Sequence, residues 1–118
     1  MAQTKISIAV RKPADKISVL DVQGDITGFA EEALMANYNT ASSSGADTIV
    51  LNLTGLESLN SFGVGLLIAL LVRVRQQGQR LLAYGLSERH REVFELTRLS
   101  EAIDLYADEA EALGSVGQ

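Results

Sequence analysis

Thr48-Ile49-Val50-Leu51-Asn52-Leu53-Thr54-Gly55-Leu56-Glu57-Ser58-Leu59-Asn60-Ser61-Phe62-Gly63-Val64-Gly65-Leu66-Leu67 decides the fold. Its first six residues form a short apolar run with β-branched side chains, interrupted only by Asn52, which suits a strand buried on both faces. From Ser61 to about Gln77 an almost continuous apolar run reads as a long helix, with Arg73 and Arg75 near its negative end and Gly78 as its stop. A small hydroxyl, Ser61, stands where strand hands over to helix. It is expected to cap the helix, and it also lies where backbone N–H groups point outward. Gly63 and Gly65 fall in the first turns, where each costs about 0.5–1 kcal/mol relative to alanine. Two glycines there point to close approach by another backbone or a partner surface. Phe62 sets a large ring beside the serine.

Working outward, Ile6, Ile8 and Val10 alternate with polar residues as in a strand buried on one face, expected to stop at Pro13. Ile17–Gly24 reads as its hairpin partner, followed by the loop Gly24-Asp25-Ile26-Thr27-Gly28. Phe29 to about Ala41 reads as an amphipathic helix with Phe29, Ala33, Leu34, Tyr38 and Ala41 on its apolar face. Thr27 or Gly28 supplies its cap region, and Glu31 and Glu32 complement its dipole. Beyond the central helix, Arg80–Gly85 is strand-like. Ser87 opens a helix over 88–96 whose apolar side is assigned to Val93, Phe94 and Leu96. Ile103–Ala107 is a brief strand, Asp108–Leu113 a short acidic helix, and 114–118 a frayed tail. The order β-β-α-β-α-β-α-β-α gives a single α/β domain over 1–118, with a mixed four- to five-stranded sheet and about four helices.

Composition removes several functions. The 118 residues are 47% hydrophobic, enough for a core, and the net charge is −5 from ten basic and fifteen acidic residues. No basic patch is available for direct nucleic-acid binding. The chain has no cysteine, which excludes disulfides, thiolate metal sites and a cysteine nucleophile. No signal peptide is visible, and the Val64–Val72 run falls short of the about 20 residues that span a bilayer. A soluble, cytoplasmic protein is expected. His90 is the only histidine, lies in a charged segment, and is expected to face solvent. No metal site, cofactor site or catalytic constellation accompanies it or Ser61. The glycines around Asp25-Ile26-Thr27 lack the lysine and spacing of a phosphate-binding loop and read as plain turns.

Leu51–Leu67 resembles the central signature of STAS domains, the bacterial anti-sigma factor antagonists, which usually reads L-D-L-S-x-V-x-F-[IM]-D-S-[ST]-G-[LIV]-G-x-L. Val19–Ile26 is similar to that family's second strand and Gly-x-Leu segment. Leu81–Ser87 followed by Val93–Leu99 is similar to a later strand and helix. Asn60 stands where the family usually has Asp, Phe62 where it has Ser or Thr, and Thr27 where many members have an acidic residue. The resemblance implies a binding module rather than an enzyme. It implies an anti-sigma factor partner that is itself a GHKL-type serine kinase, phosphorylation of Ser61 that switches binding off, and a serine phosphatase that restores it. Asp25, Thr27, Asn60, Ser61, Phe62, Gly63 and Val64 are the implied partner-binding residues. An alternative keeps the fold but makes the chain a scaffold or regulatory subunit of a stressosome-like or lipid-transport complex without the switch. A small enzyme acting on a phosphorylated metabolite ranks last, for want of a general base near Ser61 in the sequence.

Overall fold

Ile49, Leu51 and Leu53 point to one side of the central strand and Val50 to the other, and all four are buried. That strand, β3 (Thr48–Leu59), lies in the middle of a five-stranded sheet. The computed structural model describes residues 5–116. β1 (Ile6–Ala14) and β2 (Ile17–Ile26) form an antiparallel hairpin. β2, β3, β4 (Arg80–Tyr84) and β5 (Asp104–Tyr106) are parallel, in sequential order across the sheet. Parallel neighbours need crossovers, which are right-handed, and successive crossovers stepping in one direction put their helices on one face. These helices are α1 (Glu31–Ser43), α2 (Ser61–Gln76) and α3 (Glu88–Leu96). Leu34, Tyr38, Leu67, Leu70, Val74 and Phe94 join Leu20, Val22, Leu51 and Ala83 in the main core. α4 (Glu109–Gly114) folds over the opposite face, where Ala112 is buried with Val19, Val50, Leu82 and Tyr84. Val116 packs there too, and residues 117 and 118 lie outside the described residues.

That second face carries a polar network as well as apolar contacts. Arg11 on β1 pairs with Asp21 on β2 and, at 2.7 Å, with Glu109 on α4. Tyr84 donates to Glu109 at 2.7 Å, and Asn52 donates to Asp21 at 2.7 Å. Asn52 Oδ1 accepts from the N–H and hydroxyl of Thr54 at 3.1 and 2.7 Å. Asn52, the one polar residue of the apolar run, thus ties β3 to β2. The Arg11 hydrogen bond is the main cause that holds the carboxyls of Asp21 and Glu109 below their ordinary range. Burial, with the Glu109 bond next, pushes the Tyr84 phenol up to about 12.

Five local expectations are corrected. β2 runs through Gly24 and Asp25, read as part of a loop, to Ile26, because Asp25 and Ile26 pair with Ser58 and Leu59. β1 runs through Pro13 to Ala14, with an irregular register between Arg11 and Ala14; an edge strand tolerates proline because the missing N–H faces outward. β3 continues six residues past Leu53 because Gly55–Leu59 keeps pairing with Gln23–Ile26 after a register shift. Leu56 is buried there, so the extension has a core contact. His90 is 4% exposed, not solvent-facing. Ser87 caps α3 by accepting from the His90 N–H at 3.2 Å, and His90 Nδ1 lies 3.2 Å from the same hydroxyl. Burial, then the Arg89 charge, lowers the His90 pKa. Leu96 is exposed, and the inner side of α3 is formed by His90 and Phe94 with Val93 half-buried.

Candidate functional site at the tip of the second helix

The cap of α2 is Asn60, not Ser61. Asn60 has extended backbone (φ −110°, ψ −178°) and its Oδ1 accepts from the Gly63 N–H at 2.8 Å. Asn60 competes well for this position because its carbonyl oxygen reaches the N–H three residues on. Ser61 is displaced to the first helical position, where its side chain is exposed. It is relieved of capping and presented on the surface. The Val64 N–H is bonded to the Asn60 carbonyl at 2.9 Å, so the helix is regular from its first turn.

Gly63 seats the tip on the sheet. A Cβ added there would stand 1.9 Å from the Ile26 carbonyl oxygen. The Asn60 N–H also faces that oxygen, at 3.4 Å. Gly65 differs: a Cβ there meets nothing within 4 Å. Of the two helix glycines, one is required by the fold and one opens to solvent. Val64 is half-buried against the core.

The end of β2 meets this tip. Asp25 accepts from the Ser58 hydroxyl at 2.7 Å, which joins the ends of β2 and β3. Thr27 caps a single 3-10 turn, Gly28–Ala30, by accepting from the Phe29 N–H at 3.2 Å. Gly28 lies beside Phe62, where an added Cβ would make an ordinary van der Waals contact, 3.4 Å from the Phe62 Cβ. Phe29 therefore precedes α1 instead of belonging to its apolar face, and it is 85% exposed; Phe62 is 72% exposed. Thr27, Gly28, Phe29, Asn60 and Phe62 line a shallow groove of about 420 Å³. Of the residues named from sequence, Thr27, Asn60 and Phe62 meet in this groove, with Ser61 exposed between Asn60 and Phe62. Asp25 lies on the adjoining strand end, Gly63 is beneath the surface, and Val64 is turned partly inward. Phe29 was missed as a surface residue, because its spacing from Ala33 matched a buried helix face. The Thr27-Gly28 pair, a cap followed by a glycine, was the signal that a turn precedes the helix.

The first turn of α2 holds no acidic residue, so the positive end of its dipole is uncompensated by a side chain. Such an end accommodates an anionic group, a phosphate included. Among the described residues, no group of three or more His, Asp or Glu side chains could hold a metal ion. No helix among them is long and apolar enough to cross a membrane.

Residues 8–112 match the model of the STAS domain. The anti-sigma-B factor antagonist of Listeria monocytogenes is 26% identical over 111 residues, spanning 93% of this chain and 96% of that protein. The crystal structure of an anti-sigma factor antagonist from Mycobacterium paratuberculosis is 26% identical, covers 95% of this chain and 94% of its own, and superposes with a TM-score of 0.75. The Bacillus cell fate determinant SpoIIAA in its phosphorylated form shares the fold at 24% identity and a TM-score of 0.72, covering 94% of this chain and 100% of its own. With the family model matching nearly the whole length, the chain belongs to the STAS domain family.

Proposed function

We propose that this chain is an anti-sigma factor antagonist whose docking surface is the tip of α2 and whose switch is phosphorylation of Ser61. The observation that carries the reading is the division of labour at the helix tip. Asn60 does the capping, which leaves Ser61 exposed at the first helical position beside two exposed aromatic rings. In the unmodified state, Phe29 and Phe62 offer apolar area, and Thr27 and Asn60 offer polar atoms at the rim of the groove. Asp25 extends this surface along β2, and Gly63 and Val64 hold the tip in place. A partner covering such a surface removes the Ser61 hydroxyl from water at small cost.

A phosphate on Ser61 changes the balance. It adds a charge of about −1.5 to −2. The helix dipole and the N–H groups of the first turn stabilise that charge within the fold, so the modified chain stays folded. Docking would then have to desolvate the charge next to Phe62, which costs several kcal/mol unless the partner supplies a cation. The partner consistent with this chemistry is an anti-sigma factor that is also a GHKL-type serine kinase, with a serine phosphatase to reset the surface. Asn60, where relatives commonly carry Asp, removes one negative charge beside the acceptor and makes the unmodified surface more neutral.

The test is incubation of the chain with each purified GHKL-type serine kinase of its source organism and ATP, followed by peptide mass spectrometry. The expected result is a complex with one such kinase and a single phosphate on Ser61. No complex with any of them, together with an unmodified Ser61, would falsify the reading. A scaffold role in a larger assembly is the second reading, favoured by the exposed Phe62, Ile68 and Val72 on α2. It expects a stable complex that is indifferent to Ser61→Asp.

A further inference from the structure

The outward side of α2 is apolar from Phe62 to Val72. Ser61, Gly65, Ile68 and Val72 follow one another at spacings of four, three and four, and all are exposed, as is Ala69. That spacing is the seam pattern by which two helices interlock. Ile68 is 44% and Val72 48% exposed, while Gly65 leaves open space where a side chain would stand. On one helix the seam therefore carries a hole near one end and a knob near the other.

On α1 and α2, unlike on the charged α3, the charges are as sparse as they are ordered. α1 carries only Glu31 and Glu32, at its start, and α2 only Arg73 and Arg75, at its end. α1 runs alongside α2 in the same direction, because Gly28 lies against Phe62 at one end and Arg73 donates to Asn39 at 3.1 Å at the other. Glu31 and Glu32 therefore stand beside the second turn of α2. Among the described residues, no ion pair of 4 Å or less joins them to Arg73, although all three line one groove of about 550 Å³.

We infer that this face is a self-association surface, on which a second copy of the chain docks with its α2 antiparallel, about a two-fold axis level with Ile68 and Ala69. That arrangement places Val72 of each copy opposite Gly65 of the other. It also brings Arg73 of each copy to the level of Glu31 and Glu32 of the other, so the acidic and basic ends complement each other twice. A two-fold contact must be self-complementary, and this face is so in both shape and charge. The 16-residue α2 is about 24 Å long, and α1 adds a second row about 8–10 Å away. The face is then on the order of 500 Å² per copy, at the low end for specific interfaces, which makes the dimer weak and reversible. Ser61 and Phe62 lie on the same face, so the dimer covers them.

Sedimentation velocity on the full chain alone, from about 5 to 500 µM, tests this independently of the Ser61 reading. A shift from monomer to dimer is expected across that range. Ala69→Glu, an exposed change in a good helix former, is expected to leave the circular dichroism unchanged and hold the chain monomeric. Arg73→Glu on one chain and Glu31→Arg with Glu32→Arg on another are each expected to be monomeric alone and to form a dimer when mixed in equal amounts. A chain that stays monomeric at 500 µM, or a dimer that survives Ala69→Glu, overturns the inference. A mixture of the two charge variants that stays monomeric overturns the antiparallel arrangement.

Discussion

Gly63→Ala measures whether the tip of α2 is seated on the sheet as described. The added Cβ would lie 1.9 Å from the Ile26 oxygen, 2.7 Å from its carbonyl carbon and 3.0 Å from Leu59 Cδ1. A carbon–oxygen contact ordinarily closes to about 3.3 Å, so the helix tip must retreat by more than an ångström. The obstacle is backbone and cannot rotate away. Retreat also stretches the Asn60 N–H contact to Ile26, which is already 3.4 Å. Overpacking of this kind costs about 1–3 kcal/mol, against a gain of about 0.5–1 kcal/mol from replacing a helical glycine. The net expectation is a loss of about 1–2 kcal/mol, or a fall in Tm of roughly 5–10 °C. Gly65→Ala is the internal control. It makes the same change two residues later into open space, and should stabilise by about 0.5–1 kcal/mol. Urea denaturation of both variants at low protein concentration, followed by circular dichroism, gives the two values. Equal stabilities, or a gain for Gly63→Ala, would refute the seating of α2 on Ile26.

Asn60→Ala removes the cap of α2 and should cost about 1 kcal/mol in urea denaturation, whereas Asn60→Asp keeps the accepting oxygen and should leave stability the same or slightly higher. The carboxyls of Asp21 and Glu109 are held low by Arg11, so their contribution is present above their unfolded pKa values of about 4 and disappears as pH falls through the lower folded values. Arg11→Met should therefore lose stability at pH 7 and show a flatter acid limb between about pH 4 and 2 in thermal melts. His90 is depressed by burial, so the unfolded chain takes up its proton first, and stability should begin to fall as pH drops below the unfolded value of about 6.5. His90→Gln should abolish that slope between about pH 7 and 5, whatever its effect on stability at neutral pH. Phe62→Ser and Phe29→Ser remove exposed rings and should change stability by no more than about 0.5 kcal/mol, while weakening anti-sigma factor binding by about 2 kcal/mol each in calorimetry.

The central strands were legible because they are buried on both faces and so appear as unbroken apolar runs, as in Ile49–Leu51 and Leu81–Ala83, and β1 because its buried side alternates. Period and length sufficed there. The second half of β3 was hidden: Thr54-Gly55 and Glu57-Ser58 have turn composition, and only pairing with β2 keeps them extended. His90 was misread because its neighbours Arg89 and Arg91 are charged, whereas burial on a nine-residue helix follows the turn, which sets His90 beside Phe94. At the site, Ser61 was legible as the residue at the junction, but its exchange of roles with Asn60 was not. Both residue types cap helices well, and which one does so depends on where β3 ends. Phe29 was hidden because its spacing from Ala33 and Leu34 fits a helix face, although the local Thr27 cap sets a 3-10 turn that ends before α1 begins.

On the proposed function, a phosphate on Ser61 converts a docking surface into a repelling one without unfolding it. Isothermal titration of the cognate anti-sigma factor kinase with the unmodified chain and with the chain phosphorylated on Ser61 measures this directly, with circular dichroism on both forms. Identical spectra are expected, with an affinity at least about 100-fold weaker for the phosphorylated chain, equivalent to roughly 2.7 kcal/mol. Equal affinities for the two forms, with both folded, would contradict it.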